Sequence, residues 1–132
     1  MKLLFDTHLL IWAAEVGVGA TGPLPDEAAA LIDDPANELW FSVASLWEMV
    51  IKRARNHPDF TIEARILRRG LLDNGWEELP VDSAHAFAVA TLPALHKDPF
   101  DRLLIAQASV EGATLLTSDA QVADYPGPIR KV

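Results

Sequence analysis

The sequence predicts an α/β fold: a central, mostly parallel five-stranded sheet with helices on both faces. Three observations carry this expectation. Short apolar runs of strand length, KLLF (2–5), ELWFS (38–42) and TLLTS (114–118), are separated by stretches whose apolar residues recur at helical spacing. Strands that alternate with helices are joined by crossover connections, which make neighbouring strands parallel. Two of the runs also end directly on an acid, Asp6 and Asp119, and the carboxyl ends of strands are where open α/β sheets place their ligands.

In chain order, residues 2–5 form the first strand, Asp6 ends it, and HLLIWAAE (8–15) continues as a helix. GVGATGPLP (17–25) is a loop. It contains the letters of a Gly-x-Gly-x-x-Gly dinucleotide fingerprint, but that motif needs a strand before it and a helix N-terminus after it. Here a helix precedes and Pro-Leu-Pro follows, so the match is rejected. DEAAALIDD (26–34) is a helix capped by Asp26 and closed by Asp33, Asp34 and Pro35, and ELWFS is the second strand.

VASLWEMVIKRAR (43–55) has helical periodicity and stops near Asn56, before His57-Pro58. TIEARILRRGLLDNG (61–75) makes another helix, ended by Asn74-Gly75, and WEELPV (76–81) is the third short strand. Asp82 and Ser83 can cap a helix over AHAFAVATL (84–92). A helix from Pro99 to Glu111 follows, with Gly112 as its stop; TLLTS is the fourth strand and IRKV (129–132) an edge strand.

A chain of 132 residues, half of them apolar, is one domain long and buries a real core, so residues 1–132 are read as a single domain. With no cysteine there are neither disulfides nor thiolate metal sites, and a cytoplasmic location is the default. Asp6 and His8 interrupt the N-terminal apolar stretch where a secretory signal would be continuous, and no apolar run approaches the roughly 18 residues of a membrane span. A soluble protein with no membrane partner is expected.

The net charge of −8 argues against simple adhesion to nucleic acid, but it hides an asymmetry. Residues 52–69, KRARNHPDFTIEARILRR, hold six of the eleven basic residues against Asp59 and Glu63. Such a segment is ordinarily the solvated face of two helices. The four histidines (8, 57, 85, 96) show no zinc-ligand spacing and read as surface or partly buried imidazoles, with His8 of interest because it sits two residues after Asp6. The four tryptophans (12, 40, 47, 76) lie in apolar patterns and read as core; an exposed one could stack on an RNA base, but the sequence does not select it.

Most of the nineteen acids must be surface, caps or ion pairs. In HKDPFDRLLIAQA (96–108), Asp98 is a good N-cap, Pro99 suits the first helical position, and Asp101 lies near the positive end of the helix dipole, so local physics explains both acids as capping. Glu48 stands three residues after Ser45, a capping-box match; if Ser42 starts the helix instead, Glu48 moves into the second turn and points to the top edge of the sheet. Asp6, Glu48, Asp101 and Asp119 could then converge above one edge. Clustered carboxylates raise one another's pKa unless a cation neutralises them, and oxygen-only ligands favour Mg²⁺ or Mn²⁺.

At these residues the chain resembles the PIN-domain ribonucleases, in particular the toxin component of VapBC-type toxin–antitoxin pairs. LLFDTHLLIW, SLWEMVIK, HKDPFDRLLIAQA and LLTSDAQVADYP look like the family's signature blocks in the family's order, over the full length. The resemblance implies a PIN-like three-layer α/β/α sandwich with an acidic cluster at the strand carboxyl ends. It matches Asp6, Glu48, Asp101 and Asp119 to the family's four acids, with Asp101 rather than Asp98 fitting the Asp-x-x-x-x-Ala spacing through Ala106. The 17–25 loop is longer and more glycine-rich than is usual for the family. The resemblance further implies an RNA-cleaving toxin that needs Mg²⁺ or Mn²⁺, forms a homodimer and is inhibited by a small VapB-like antitoxin.

On this reading the four acids bind one or two ions directly or through water, with Asp6 and Asp101 the surest ligands, and hydrolysis leaves a 5′-phosphate. Thr7 and Ser118, each beside an acid, are expected to hydrogen-bond to phosphate or to a metal-bound water, and Asp98 to cap its helix. Lys52, Arg53 and Arg55, which follow the Glu48 helix, are candidates to hold RNA phosphates. Two rivals remain: a catalytically silent PIN-like binding module, and a phosphoaspartyl phosphatase, which would carry a second Asp where this chain has His8.

Overall fold

The computed structural model describes residues 1–16 and 24–132, apart from the side chains of residues 15 and 16; positions 17–23 of the expected glycine-rich loop lie outside the described residues. The elements are β1 (Lys2–Phe5), α1 (Thr7–Val16), α2 (Asp26–Asp33), β2 (Glu38–Ser42), α3 (Val43–Ala54), α4 (Ala64–Asp73), β3 (Glu77–Leu79), α5 (Ser83–Val89), α6 (Pro99–Glu111), β4 (Thr114–Thr117), α7 (Ala120–Ala123) and β5 (Ile129–Lys131). The five strands form one sheet in the order β3-β2-β1-β4-β5, and every pairing is parallel.

The two-residue period of a strand divides the core into layers. Leu3 and Phe5 of β1 and Leu116 of β4 pack on one face with Leu9 and Leu10 of α1, Met49 of α3 and Leu67 and Leu71 of α4. Leu4 and Leu115 point the other way, against Leu104, Ile105 and Ala108 of α6 and Val122 of α7. Both faces of the central strands are therefore dry. Truncating one of these leucines to alanine would cost about 2–5 kcal/mol.

Local chemistry explains the helix ends that matter for function. Ser42 caps α3, its Oγ accepting the Ala44 amide at 3.0 Å, so Ser42 and not Ser45 starts the helix and Glu48 sits in the second turn. Asn56 ends the same helix region with φ +57°, a left-handed conformation that asparagine tolerates better than most residues. Asp98 caps α6 with Pro99 in its first turn, and Gly112 at φ 65° closes it.

Several boundaries differ from expectation, with β3 confined to Glu77–Leu79 and α5 ending at Val89 rather than Leu92. Residues 61–63 precede α4 rather than belonging to it, and Asp119, read only as a strand-end acid, also caps the short helix α7. The topology fixes where a site can form. The chain runs outward from β1 through β2 to β3, then crosses back to place β4 on the other side of β1. The β1/β4 boundary is thus the switch point, where loops diverge to opposite faces and leave a crevice.

Candidate active site

Asp6 stands at that switch point. Its backbone amide donates to Leu116 O at 3.0 Å, which continues the β1/β4 ladder by one residue. Its Oδ1 accepts the Leu9 amide at 3.0 Å and its Oδ2 accepts the Thr117 hydroxyl at 2.6 Å. Asp6 is buried, and burial pushes its pKa above the usual carboxylate value despite the Thr117 and Leu9 hydrogen bonds and nearby His8; the charge of Asp119 adds to the rise.

Thr7, the next residue, reaches across to α3. Its Oγ1 lies 2.6 Å from Glu48 Oε1 and 2.9 Å from Ser45 Oγ, and its single hydroxyl proton is best used on the carboxylate. The other Glu48 oxygen accepts from Lys52 Nζ at 2.5 Å, one helical turn further along. Lys52 also stands 3.8 Å from Asp98 Oδ2. Burial works against the Lys52 charge, but the hydrogen bond and charge of Glu48, with Asp98 and Asp101, outweigh it and hold the ammonium pKa above its ordinary value.

On α6, Asp98 Oδ1 accepts the amides of Phe100 at 2.8 Å and Asp101 at 3.3 Å, as an N-cap should. Asp101 points back into the crevice, its Oδ2 3.0 Å from His96 Nε2. Burial and the adjacent charge of Asp98 raise the Asp101 pKa to about 7; His96 opposes the rise, while Glu48 and Asp6 add to it. Asp119 is exposed at the rim, its Oδ1 accepting the Gln121 amide at 2.8 Å and its own amide donating to Thr117 Oγ1 at 3.0 Å.

The four acids therefore share one crevice without closing into a tight cage. Asp101 feels the charges of Glu48 and Asp6, and Asp6 feels Asp119. Among the described residues, however, the only sets of three candidate ligands whose donor atoms all lie within 4.8 Å of one another are His96, Asp98, Asp101 and Asp82, His85, Glu111. The second set is structural. The Asp82 amide donates to His85 Nδ1 at 3.1 Å, which leaves the ring proton on Nε2, 2.9 Å from Glu111. His85, expected at or near the surface, is buried there as the third residue of a capping box and ties α5 to α6.

The PIN domain sequence profile matches residues 3–128. The chain belongs to the PIN domain family. No curated protein matches it, but solved structures do. The chain is similar to VapBC2 of Rickettsia felis, solved bound to a DNA fragment from its promoter, at 17% identity and TM-score 0.70, covering 100% of this chain and 99% of that one. It is similar to VapBC-1 of nontypeable Haemophilus influenzae at 17% identity and TM-score 0.64, covering 99% and 98%. VapBC-5 of Mycobacterium tuberculosis, from the VapBC family of toxin-antitoxin systems, aligns at 19% identity and TM-score 0.60 over 99% and 97%. At such identities the likeness establishes the fold.

The PIN crevice fits a divalent cation by the chemistry of its donors. Asp6, Glu48, Asp101 and Asp119 offer only hard carboxylate oxygen, and burial together with the charge of Asp98 raises the Asp101 pKa, a cost that a cation relieves. The wide spacing suits an ion that keeps several waters, as Mg²⁺ does.

Several residues of the PIN site were not legible beforehand. Thr117, not Ser118, holds Asp6; Ser118 is half-buried and makes no side-chain hydrogen bond among the described residues. His96 touches Asp101, and its backbone is pinned by Tyr125, whose hydroxyl accepts the His96 amide at 2.7 Å and lies 3.0 Å from its carbonyl. His8 lies near enough to Asp6 to lower its pKa, and its Nε2 is 3.6 Å from Asp59. The basic trio separates: Lys52 enters the acidic cluster, Arg53 donates to Thr61 O at 3.3 Å, and Arg55 is exposed. Of the tryptophans, Trp47 is 60% exposed, edge-on to Phe100 at 5.4 Å, which places it beside Glu48 and between α3 and the start of α6.

Proposed function

We propose that this PIN protein is a Mg²⁺- or Mn²⁺-dependent endoribonuclease acting in the cytoplasm as the toxin of a type II toxin–antitoxin pair, a homodimer restrained by a small VapB-like antitoxin. The observation that carries the proposal is the gathering of Asp6, Glu48 and Asp101 at the β1/β4 switch point, where burial first and neighbouring acids second raise the Asp101 pKa to about 7. The full-length likeness to VapBC structures supports the toxin and antitoxin parts of the reading.

A bound divalent ion would polarise the scissile phosphate and lower the pKa of a water. Asp6 and Asp101 are the residues to hold it. Glu48, fixed by Thr7 and Lys52, has both oxygens engaged and orients the first turns of α3 around the site or acts through water. Asp119, at the rim, acts through water. Lys52 offsets the acids enough for an RNA phosphate to approach, and Trp47 is the tryptophan placed to stack on a neighbouring base. Hydrolysis leaves a 5′-phosphate.

The test is cleavage of RNA by the purified protein. Activity should appear with Mg²⁺ or Mn²⁺, stop with a chelator, and be lost in Asp6→Ala and Asp101→Asn. Equal activity in either variant refutes the assignment. Metal binding without hydrolysis of any RNA would identify a silent binding module instead, and absence of a small protein co-purifying from native cells would count against the toxin role alone.

A further inference from the structure

We propose that the junction of α3 and α4 is a second RNA contact, an arginine-lined subsite for phosphates of the strand beyond the acidic crevice; this rests on the ribonuclease reading. A cavity of about 920 Å³ opens there, with Val50, Arg53, His57, Phe60, Thr61 and Arg65 in its wall. A smaller one of about 370 Å³ adjoins it through Arg65 and continues to Arg68 and Arg69 on α4. The two concavities form one track, and arginine is its recurring residue.

The track carries a small net positive charge, four arginines against three acids. Arg68 pairs with Glu78, and Glu63 and Asp73 stand in the walls. Among the described residues, neither Arg53, Arg65 nor Arg69 has a carboxylate oxygen within the 4.0 Å of an ion pair. Arg53 is nonetheless held: its Nε donates to Thr61 O, which aims the guanidinium and leaves its remaining N–H groups free. An aimed guanidinium with a free edge matches a phosphate bidentately. In a chain of net charge −8, a run of exposed unpaired arginines is the local field that lets a polyanion settle beside an acidic site.

Phe60 joins the track to that site. Its buried ring lies 4.9 Å from Lys52 Nζ and 5.4 Å from the His8 ring on one side, and it lines the larger cavity on the other. Lys52 in turn contacts Glu48. One buried aromatic side chain thus links the cavity wall to Lys52 and, through it, to Glu48. Exposed Val50 and Ile66 nearby would also suit a protein partner, and the experiment separates the two occupants.

A fluorescein-labelled single-stranded RNA of roughly a dozen nucleotides, long enough to span a binding groove, is titrated with the full-length protein. Ca²⁺ replaces Mg²⁺, and the titration is repeated over a range of KCl concentrations. For Arg53→Gln/Arg65→Gln, which keeps the side-chain stems, binding should weaken and the slope of log K against log salt should flatten by about 0.7 for each phosphate contact removed. Arg53→Lys/Arg65→Lys, which keeps the charges, should retain the wild-type slope. An unchanged slope in the Gln variant of a wild type that binds and cleaves RNA overturns the subsite and leaves the ribonuclease reading standing. Loss of a co-purifying protein with that slope unchanged also overturns it, assigning the track to a protein partner. A wild type that neither binds nor cleaves RNA overturns both.

Discussion

Lys52 closes an ion pair on Glu48 one turn earlier on α3, at 2.5 Å, and so places a cation inside a cluster of acids. Removing the ammonium leaves Glu48 buried with only Thr7 against it. Lys52→Met should therefore destabilise the protein by about 2 kcal/mol, less than for a fully buried pair because a quarter of the Lys52 side chain remains in water. Urea unfolding measures this, and Glu48→Gln in the same background should recover most of the loss. Costs that simply add would show that the two residues are not coupled.

Asp98 and Asp101 divide two tasks between them. Asp98→Ala removes the cap of α6 and should cost about 1 kcal/mol, whereas Asp98→Asn should cap nearly as well. Asp101→Asn relieves a buried acid, so stability at pH 8 should not fall. Its RNA cleavage should drop by about a hundredfold or more, since metal charge stabilisation is worth several kcal/mol. Paired unfolding and cleavage assays decide the matter, and the reverse pattern would mean that the two roles are exchanged.

The raised pKa of Asp101 sets a pH dependence. Unfolded, the group titrates near the ordinary aspartate value of 3.8; folded, at about 7. Between these values the folded state holds a proton that the unfolded state has lost, so this group's contribution to stability falls as pH rises from about 4 to about 7 and is level beyond. With a chelator present, the Tm advantage of Asp101→Asn over wild type should grow across that window and then flatten. Saturating Mg²⁺ should shrink it. A difference independent of pH would show that Asp101 is not the group titrating.

Thr117 carries one of the two hydrogen bonds to Asp6. Thr117→Val should cost about 1–3 kcal/mol by leaving a buried carboxylate oxygen under-satisfied, and should weaken Mg²⁺ binding measured by calorimetry. Ser118→Ala should stay within about 0.5 kcal/mol of wild type. Equal effects at the two positions would remove the distinction drawn between them.

What could be read in advance were features with a local cause. Asp98 and Pro99 announce a helix start in adjacent residues, and the apolar runs ending at Asp6 and Asp119 place acids at the right edge of a parallel sheet. What could not be read depended on partners distant in the chain. Ser42 and Ser45 were equal as caps until the end of β2 was known; Ser42 is held there by donating to Gln107 Oε1 at 2.5 Å, 65 positions away. Thr117 and Ser118 differ by one residue, and one residue reverses the face of a strand. His96 became a neighbour of Asp101 partly through Tyr125, 29 positions later. The helix α7 spans only Ala120–Ala123, too short for a helical period to show, although Asp119 is a good N-cap.

Thr117 and Asp6 are 111 positions apart, yet they meet at the strand boundary around which the crevice forms. A growing chain cannot place Asp6 beside β4 until the residues between Asp6 and Thr117 have all been made. Interrupted synthesis therefore yields fragments with scattered acids and no assembled crevice. The order of the strands leaves the crevice open in the chain until β4 joins the sheet beside β1.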